Sequence, residues 1–223
     1  MKNTLFTAAT LAIFTLASCG DSGNNAETTN DPNNTVGQTT DAPDGRETVY
    51  QIDPAASRIN WKGVMFGVKE HFGTLDLVEG QITVQGGQLV DGNFNADLNT
   101  IRPEDEAYAP DDAPQGRRSD LIAHLKSADF FEVENHPNAT LDIVEVTGNT
   151  ARANFTVRGT THEETIENIV VNESNGSVTA RGTMTFDRQK YGVAFQTGLQ
   201  DAVISDKIEL DVEVVGRSAQ PAI

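Results

Sequence analysis

Apolar and polar residues alternate with a period of two along most of the chain from residue 47 onward. Ile208, Leu210, Val212 and Val214 interleave with Lys207, Glu209, Asp211 and Glu213. Val178, Ala180, Gly182, Met184 and Phe186 interleave with Thr179, Arg181, Thr183, Thr185 and Asp187 in the same way. Ile59 with Trp61, Phe94 to Leu98, Ala139 to Ile143 and Ala151 to Val157 repeat the pattern. Successive side chains of a strand point to opposite faces, so each run predicts a strand with one dry and one wet face. Turn signals separate the runs at Gln85-Gly86-Gly87, Thr147-Gly148-Asn149 and Ser174-Asn175-Gly176. With 75–84 and 164–171 added, the pattern predicts about eight antiparallel strands. Tight hairpins and long runs favour a closed eight-stranded barrel over a sandwich.

One stretch breaks the alternation. An acidic loop from Arg102 to Gly116 is followed by Ser119-Asp120-Leu121-Ile122-Ala123-His124-Leu125-Lys126. Leu121, Ile122 and Leu125 share a helical face, with Ser119 or Asp120 as cap, which predicts one short helical crossover near 117–131. The acidic loop, with Glu104, Asp105, Glu106, Asp111 and Asp112, lacks the spacing and glycine of a calcium loop and reads as solvated.

The start of the chain has a different character. Lys2 precedes an apolar run from Leu5 to Ala17, then Ser18-Cys19. A basic tip, a short apolar segment and small residues describe a secretory signal. Leu16-Ala17-Ser18-Cys19 resembles the bacterial lipobox, in which the cysteine is acylated after cleavage before it. The expected organisation is a signal peptide at 1–18, an acylated Cys19 with a flexible tether at 19–46, a β-barrel domain at 47–217 and a tail at 218–223. Residues 20–46 are rich in Asn, Thr, Gly and Asp, and Val36 is their one large aliphatic. The single cysteine allows no internal disulfide.

Charge narrows the partners. Thirty-three acidic against 16 basic residues give a net charge of −17. No basic stripe is present to meet nucleic acid or anionic lipid. The four histidines, His71, His124, His136 and His162, show no paired metal-ligand spacing. No nucleophile elbow, phosphate loop or dinucleotide fingerprint is present, so the expectation is a protein without catalytic residues, metal or cofactor.

Several motifs occur in order: Tyr50-Gln-Ile-Asp53 with Ser57-Arg-Ile-Asn-Trp61, Leu125-Lys-Ser-Ala-Asp-Phe-Phe131 with His136-Pro-Asn-Ala-Thr140, Phe155-Thr-Val-Arg-Gly-Thr160, Gly182-Thr-Met-Thr-Phe-Asp-Arg188 with Tyr191-Gly192, and Val203-Ile-Ser-Asp-Lys-Ile-Glu-Leu210. Together, over about residues 48–216, the sequence resembles the YceI-like family of bacterial secreted proteins. The resemblance implies a lipocalin-like barrel that binds a polyisoprenoid, such as a polyprenyl phosphate or a quinone tail, and has no established catalytic residues. Many members carry a histidine where this chain has Ala56, so any role tied to it is absent here. Trp61-Lys62-Gly63 and the lipobox resemble a lipoprotein branch, anchored on the periplasmic or cell-surface side of the envelope.

For such a ligand, Trp61, Phe66, Phe72, Phe94, Phe130, Phe131, Phe155, Phe186, Tyr191 and Phe195 supply apolar surface. Those rings serve equally as a filled core or as a lipid tunnel, and the small residues Ala96, Ala139, Ala151, Ala153, Ala180 and Gly182 on the inner faces leave both open. His71 and Arg188 are the candidate head-group contacts. Their plainer readings are a turn-capping histidine and an arginine bonded to its neighbours. An isoprene unit buries about four CH₂ equivalents at about 0.8 kcal/mol each, so such a site needs no polar motif.

Overall fold

Each alternating run forms a strand. The structure is a computed structural model that describes residues 45–66, 69–106, 108–196 and 203–219. In chain order the elements are β1 (Glu47–Ile52), β2 (Arg58–Phe66), β3 (Lys69–Gln85), β4 (Gln88–Pro103), α1 (Arg118–Lys126), β5 (Asn138–Thr147), β6 (Thr150–Val157), β7 (Thr160–Ser174), β8 (Ser177–Asp187) and β9 (Val203–Ser218). The expected signal peptide, Cys19 and nearly all of the expected tether lie outside the described residues.

The strands form one antiparallel sheet, β3-β2-β9-β8-β7-β6-β5-β4, which β4 closes by pairing back onto β3. Closure leaves no free edge in the ring, as in an eight-stranded lipocalin-like barrel. β1 and β2 together fill one of the eight positions. β2 pairs with the first half of β3, Ile59 opposite Leu75, while β1 pairs with its second half, Gln51 opposite Gln81. Both also pair with β9. The step between them is stitched by Ser57, whose hydroxyl donates to Asp53 O at 2.7 Å and accepts from Val215 N at 3.0 Å.

Tight turns hold the register. Gly86 and Gly87, and Asn175 with Gly176, take positive φ at the tips of their hairpins. That geometry matches the right-handed twist of paired strands. The β6–β7 turn does the same with Arg158 and Gly159. Arg158 is held there by Glu132 at 3.0 Å and by the carbonyl of Ala128 at 3.0 Å.

The crossover helix packs across one end of the barrel. Its cap is Arg117, and Asp120 sits in the third helical position, where its carboxylate accepts from Arg117 N at 3.0 Å. The expectation that Ser119 or Asp120 itself caps the helix is therefore corrected: the acid acts from inside the first turn. The loop after the helix folds back, with Phe131 N donating to Leu125 O at 3.1 Å, and delivers Phe130 and Phe131 to the interior.

Each of the three tyrosines in the chain donates its hydroxyl to a carboxylate. Tyr50 meets Glu173 at 2.5 Å, Tyr108 meets Asp105 at 2.6 Å and Tyr191 meets Glu164 at 3.0 Å. Burial and then the neighbouring carboxylate oppose the phenolate, so the Tyr50 hydroxyl is pushed up to about 12 and the other two rise as well. A folded-state value above the unfolded one means the stabilisation is complete below about pH 10 and is lost as pH rises through about 12. Tyrosinate absorbance of the native protein should therefore stay near baseline to about pH 11, while unfolded chain titrates near pH 10. Native titration near pH 10 would show that the pairs do not form.

Candidate functional site

Among the described residues, two apolar cavities stand out in the barrel interior. One, of about 140 Å³, lies toward the Gly86, Gly148 and Gly176 hairpins and is walled by residues such as Ile82, Leu89, Phe94, Ile143, Ala180 and Val214. The other, of about 170 Å³, lies under α1 and is walled by residues such as Trp61, Leu98, Leu125, Phe131, Phe186 and Phe195. Leu75, Ala139, Phe155 and Leu210 border both, so the two chambers adjoin across this waist of shared wall. Leu141, Ile143 and Leu210 are inward-facing yet only partly buried because they border these chambers. A cavity of roughly 150 Å³ lined by aliphatic and aromatic groups stays dry and accepts an apolar molecule.

The aromatic candidates divide by placement. Trp61, Phe130, Phe131, Phe155, Phe186 and Phe195 line the helix-end chamber, and Phe94 and Phe155 line the hairpin-end chamber. The Phe66 side chain lies outside the described residues.

Three candidates do not reach a chamber. Phe72 is 45% exposed on the outer face. In β3 the inward phase is His71, Leu75 and Leu77, and Phe72 falls on the opposite side. Tyr191 is buried against Phe155 and Phe186, with its hydroxyl committed to Glu164. Arg188 is 1% exposed, and its five N–H groups meet Ser205 O, Val193 O, Phe195 O, Ile204 O and the Asp206 carboxylate. A guanidinium has five donors, so none remains for a ligand phosphate. Arg188 ties the segment after β8 to the start of β9.

Of the small inner-face residues, Ala96, Ala139, Ala180 and Gly182 border a chamber. Ala151 and Ala153 are buried but border neither.

His71 does reach the helix-end chamber. Its Nδ1 lies 3.1 Å from Asp105 Oδ2 and 3.0 Å from the Tyr108 hydroxyl, and its ring stacks on Tyr108 at 5.6 Å. Asp105 is 5% exposed, so the acidic loop read as solvated contains one buried carboxylate. Arg118 holds this loop down, donating to Pro103 O at 2.9 Å and Asp105 O at 2.8 Å, with its guanidinium 5.0 Å from the Tyr108 ring centre. His124 borders the same chamber and meets Phe195 edge-on at 4.4 Å. Among the described residues no group of three or more His, Cys, Asp or Glu is placed to hold a metal.

The model of the YceI-like domain matches residues 50–216. The chain belongs to the YceI-like family. A UPF0312 protein of Staphylococcus epidermidis is 28% identical over 159 residues, covering 69% of this chain and 86% of the relative. Among solved structures, BcnA of Burkholderia cenocepacia is similar with a TM-score of 0.56 at 13% identity, covering 74% of this chain and 98% of that one. A polyisoprenoid binding domain from Saccharophagus degradans, implicated in plant cell wall breakdown, is similar with a TM-score of 0.50 at 12% identity, over 77% and 99% of the two chains. At such identities the likeness extends to the YceI-like fold.

Proposed function

We propose that this YceI-like protein is an envelope lipoprotein that binds a long amphiphilic lipid, a polyisoprenoid, inside its barrel as a non-catalytic carrier or store. The two adjoining apolar chambers carry this reading. Protein interiors pack as densely as organic crystals. Walls around unfilled space lose packing contacts, so an empty chamber opposes folding. An apolar chain crossing the waist relieves that cost, and its continuous shape suits two chambers in series. The polyisoprenoid binding domain of Saccharophagus degradans has the same fold, which supports a prenyl chain as the occupant.

Protein purified under native conditions and extracted with organic solvent should release a prenyl-type lipid detectable by mass spectrometry. An empty extract, together with no uptake of added lipid, would overturn the reading. For the anchor, Cys19→Ser should move the protein from the membrane to the soluble fraction. Acyl chains would supply the attachment, and stable anchoring needs more than one. A variant that still sediments with membranes after a high-salt wash would contradict the lipoprotein assignment.

A further inference from the structure

The helix-end chamber is apolar on nearly every side, and its polar wall is small. Among the described residues the polar side chains bordering it are Trp61, His71 and His124. The Trp61 indole N–H is already used, donating to Thr74 O at 3.2 Å. His124 packs its ring edge-on against Phe195 and Phe130, and no carboxylate orients it among the described residues. His71 is different. Its Nδ1 is fixed against the buried Asp105 carboxylate and the Tyr108 hydroxyl. A carboxylate at Nδ1 sets the ring orientation and leaves Nε2 as the working atom. No partner for Nε2 occurs among the described residues, and the ring borders the chamber.

We propose that Nε2 of His71 is the head-group contact of this chamber, selecting a long apolar chain that ends in an uncharged hydroxyl, an alcohol or a phenol, over the same chain ending in phosphate. The inference rests on the lipid-binding reading above and deepens it. A hydroxyl both donates and accepts, so it serves the neutral ring, whose Nε2 accepts, and the charged ring, whose Nε2 donates. A phosphate would be drawn into an apolar chamber beside a carboxylate that is 5% exposed. The Arg118 guanidinium donates to the carbonyls of Pro103 and Asp105, which ties it to the backbone of the loop, and it does not border the chamber. No Lys or Arg borders the chamber among the described residues. Like charges at close range and unpaired buried charge are how a site rejects a wrong ligand.

Three probes with one chain separate the possibilities: farnesol, farnesyl phosphate and the hydrocarbon farnesene, each measured by equilibrium dialysis against the full-length protein. Farnesol should bind about tenfold or more tightly than farnesyl phosphate, the scale of one buried hydrogen bond. His71→Ala should weaken farnesol by about tenfold and leave farnesene unchanged. Farnesol should also shift the Nε2 resonance of His71 in the nitrogen NMR spectrum of the wild-type protein, while farnesene does not. That measurement needs no variant, so it decides even where His71→Ala fails to fold. Farnesyl phosphate binding as well as farnesol, or an Nε2 resonance indifferent to farnesol, would overturn the head-group assignment with lipid binding intact. Failure of all three probes to bind the wild-type protein would overturn the lipid-binding reading itself, and this assignment with it.

Discussion

Gly73→Ala is expected to destabilise the barrel by about 3 kcal/mol or more, the upper range for overpacking in a rigid site. A Cβ at Gly73 would lie 1.9 Å from Arg102 O, 2.7 Å from Arg102 C and 2.8 Å from Pro103 Cα. All three atoms are backbone, so no rotamer change relieves the contact. The end of β4 would have to leave β3, breaking the Gly73–Pro103 and Thr74–Arg102 pairings that complete the ring there. The next bond along, Glu104 N to Phe72 O at 2.8 Å, would go with them. Asp105 follows directly, so the loop that orients His71 should loosen as well. Gly63→Ala on the neighbouring strand is the control, since its Cβ would meet only Ile208 Cδ1 at 3.4 Å. Urea denaturation should show a large fall in midpoint for Gly73→Ala and little change for Gly63→Ala. Equal effects would mean that the close approach of β4 to β3 is not present in solution.

Ala139→Phe should strip lipid from the protein while leaving its melting temperature at or above that of the lipid-free parent. Ala139 borders both chambers, so a ring there fills the waist through which a long chain must pass. Filling a cavity removes part of its cost, on the order of 1 kcal/mol for each methyl-sized void. Ala180→Phe, in the hairpin-end chamber, should shorten the chain that fits rather than exclude every chain. Ala153→Trp provides the contrast. Ala153 is fully buried and borders neither chamber, so a large ring there should overpack and cost about 1–3 kcal/mol. Mass spectrometry of extracts and thermal melts separate the cases. If Ala139→Phe melts as far below the parent as Ala153→Trp does and keeps its lipid, the chambers do not hold the ligand.

The barrel was legible because period-two alternation and glycine turns act locally, residue by residue. Both the Gln85-Gly-Gly turn and the long β9 run could be placed without knowing any distant partner. The divided stave was hidden for the opposite reason. Asp53 to Ser57 reads as a plain turn, and only β3 and β9, each long enough to hold two partners, show that β1 and β2 share a position. Phase errors arose where a strand was started late. With β3 begun at Lys69, His71 falls in the same phase as Leu75 and Leu77, and Phe72 falls outside. The bulge in β7, where Asn168 takes φ 56°, shifts the inward set from Glu164 and Ile166 to Ile169 and Val171.

The site was less legible than the fold, because its decisive contacts cross long sequence distances. Glu104, Asp105 and Glu106 look alike in the sequence. Only the fold-back of their loop over β3 puts Asp105 against His71 and leaves its neighbours exposed. Arg188 stayed open between a head-group contact and an arginine bonded to its neighbours, because its acceptors lie 5 to 18 residues further along the chain. The chambers have no motif at all, since an apolar wall uses the same residues as an apolar core.

The chain contains one tryptophan, and it stands on the wall of the helix-end chamber. With its N–H fixed on Thr74 O, the Trp61 indole is held in place while one side faces the chamber. Its emission therefore comes from a single chromophore whose surroundings change as the chamber fills or drains. A brominated chain that reaches the chamber would quench that light by contact, and one that stays in the hairpin end would not. The barrel thus contains its own optical gauge of how far a guest has entered, and stopped-flow fluorescence of the unlabelled protein can time that entry.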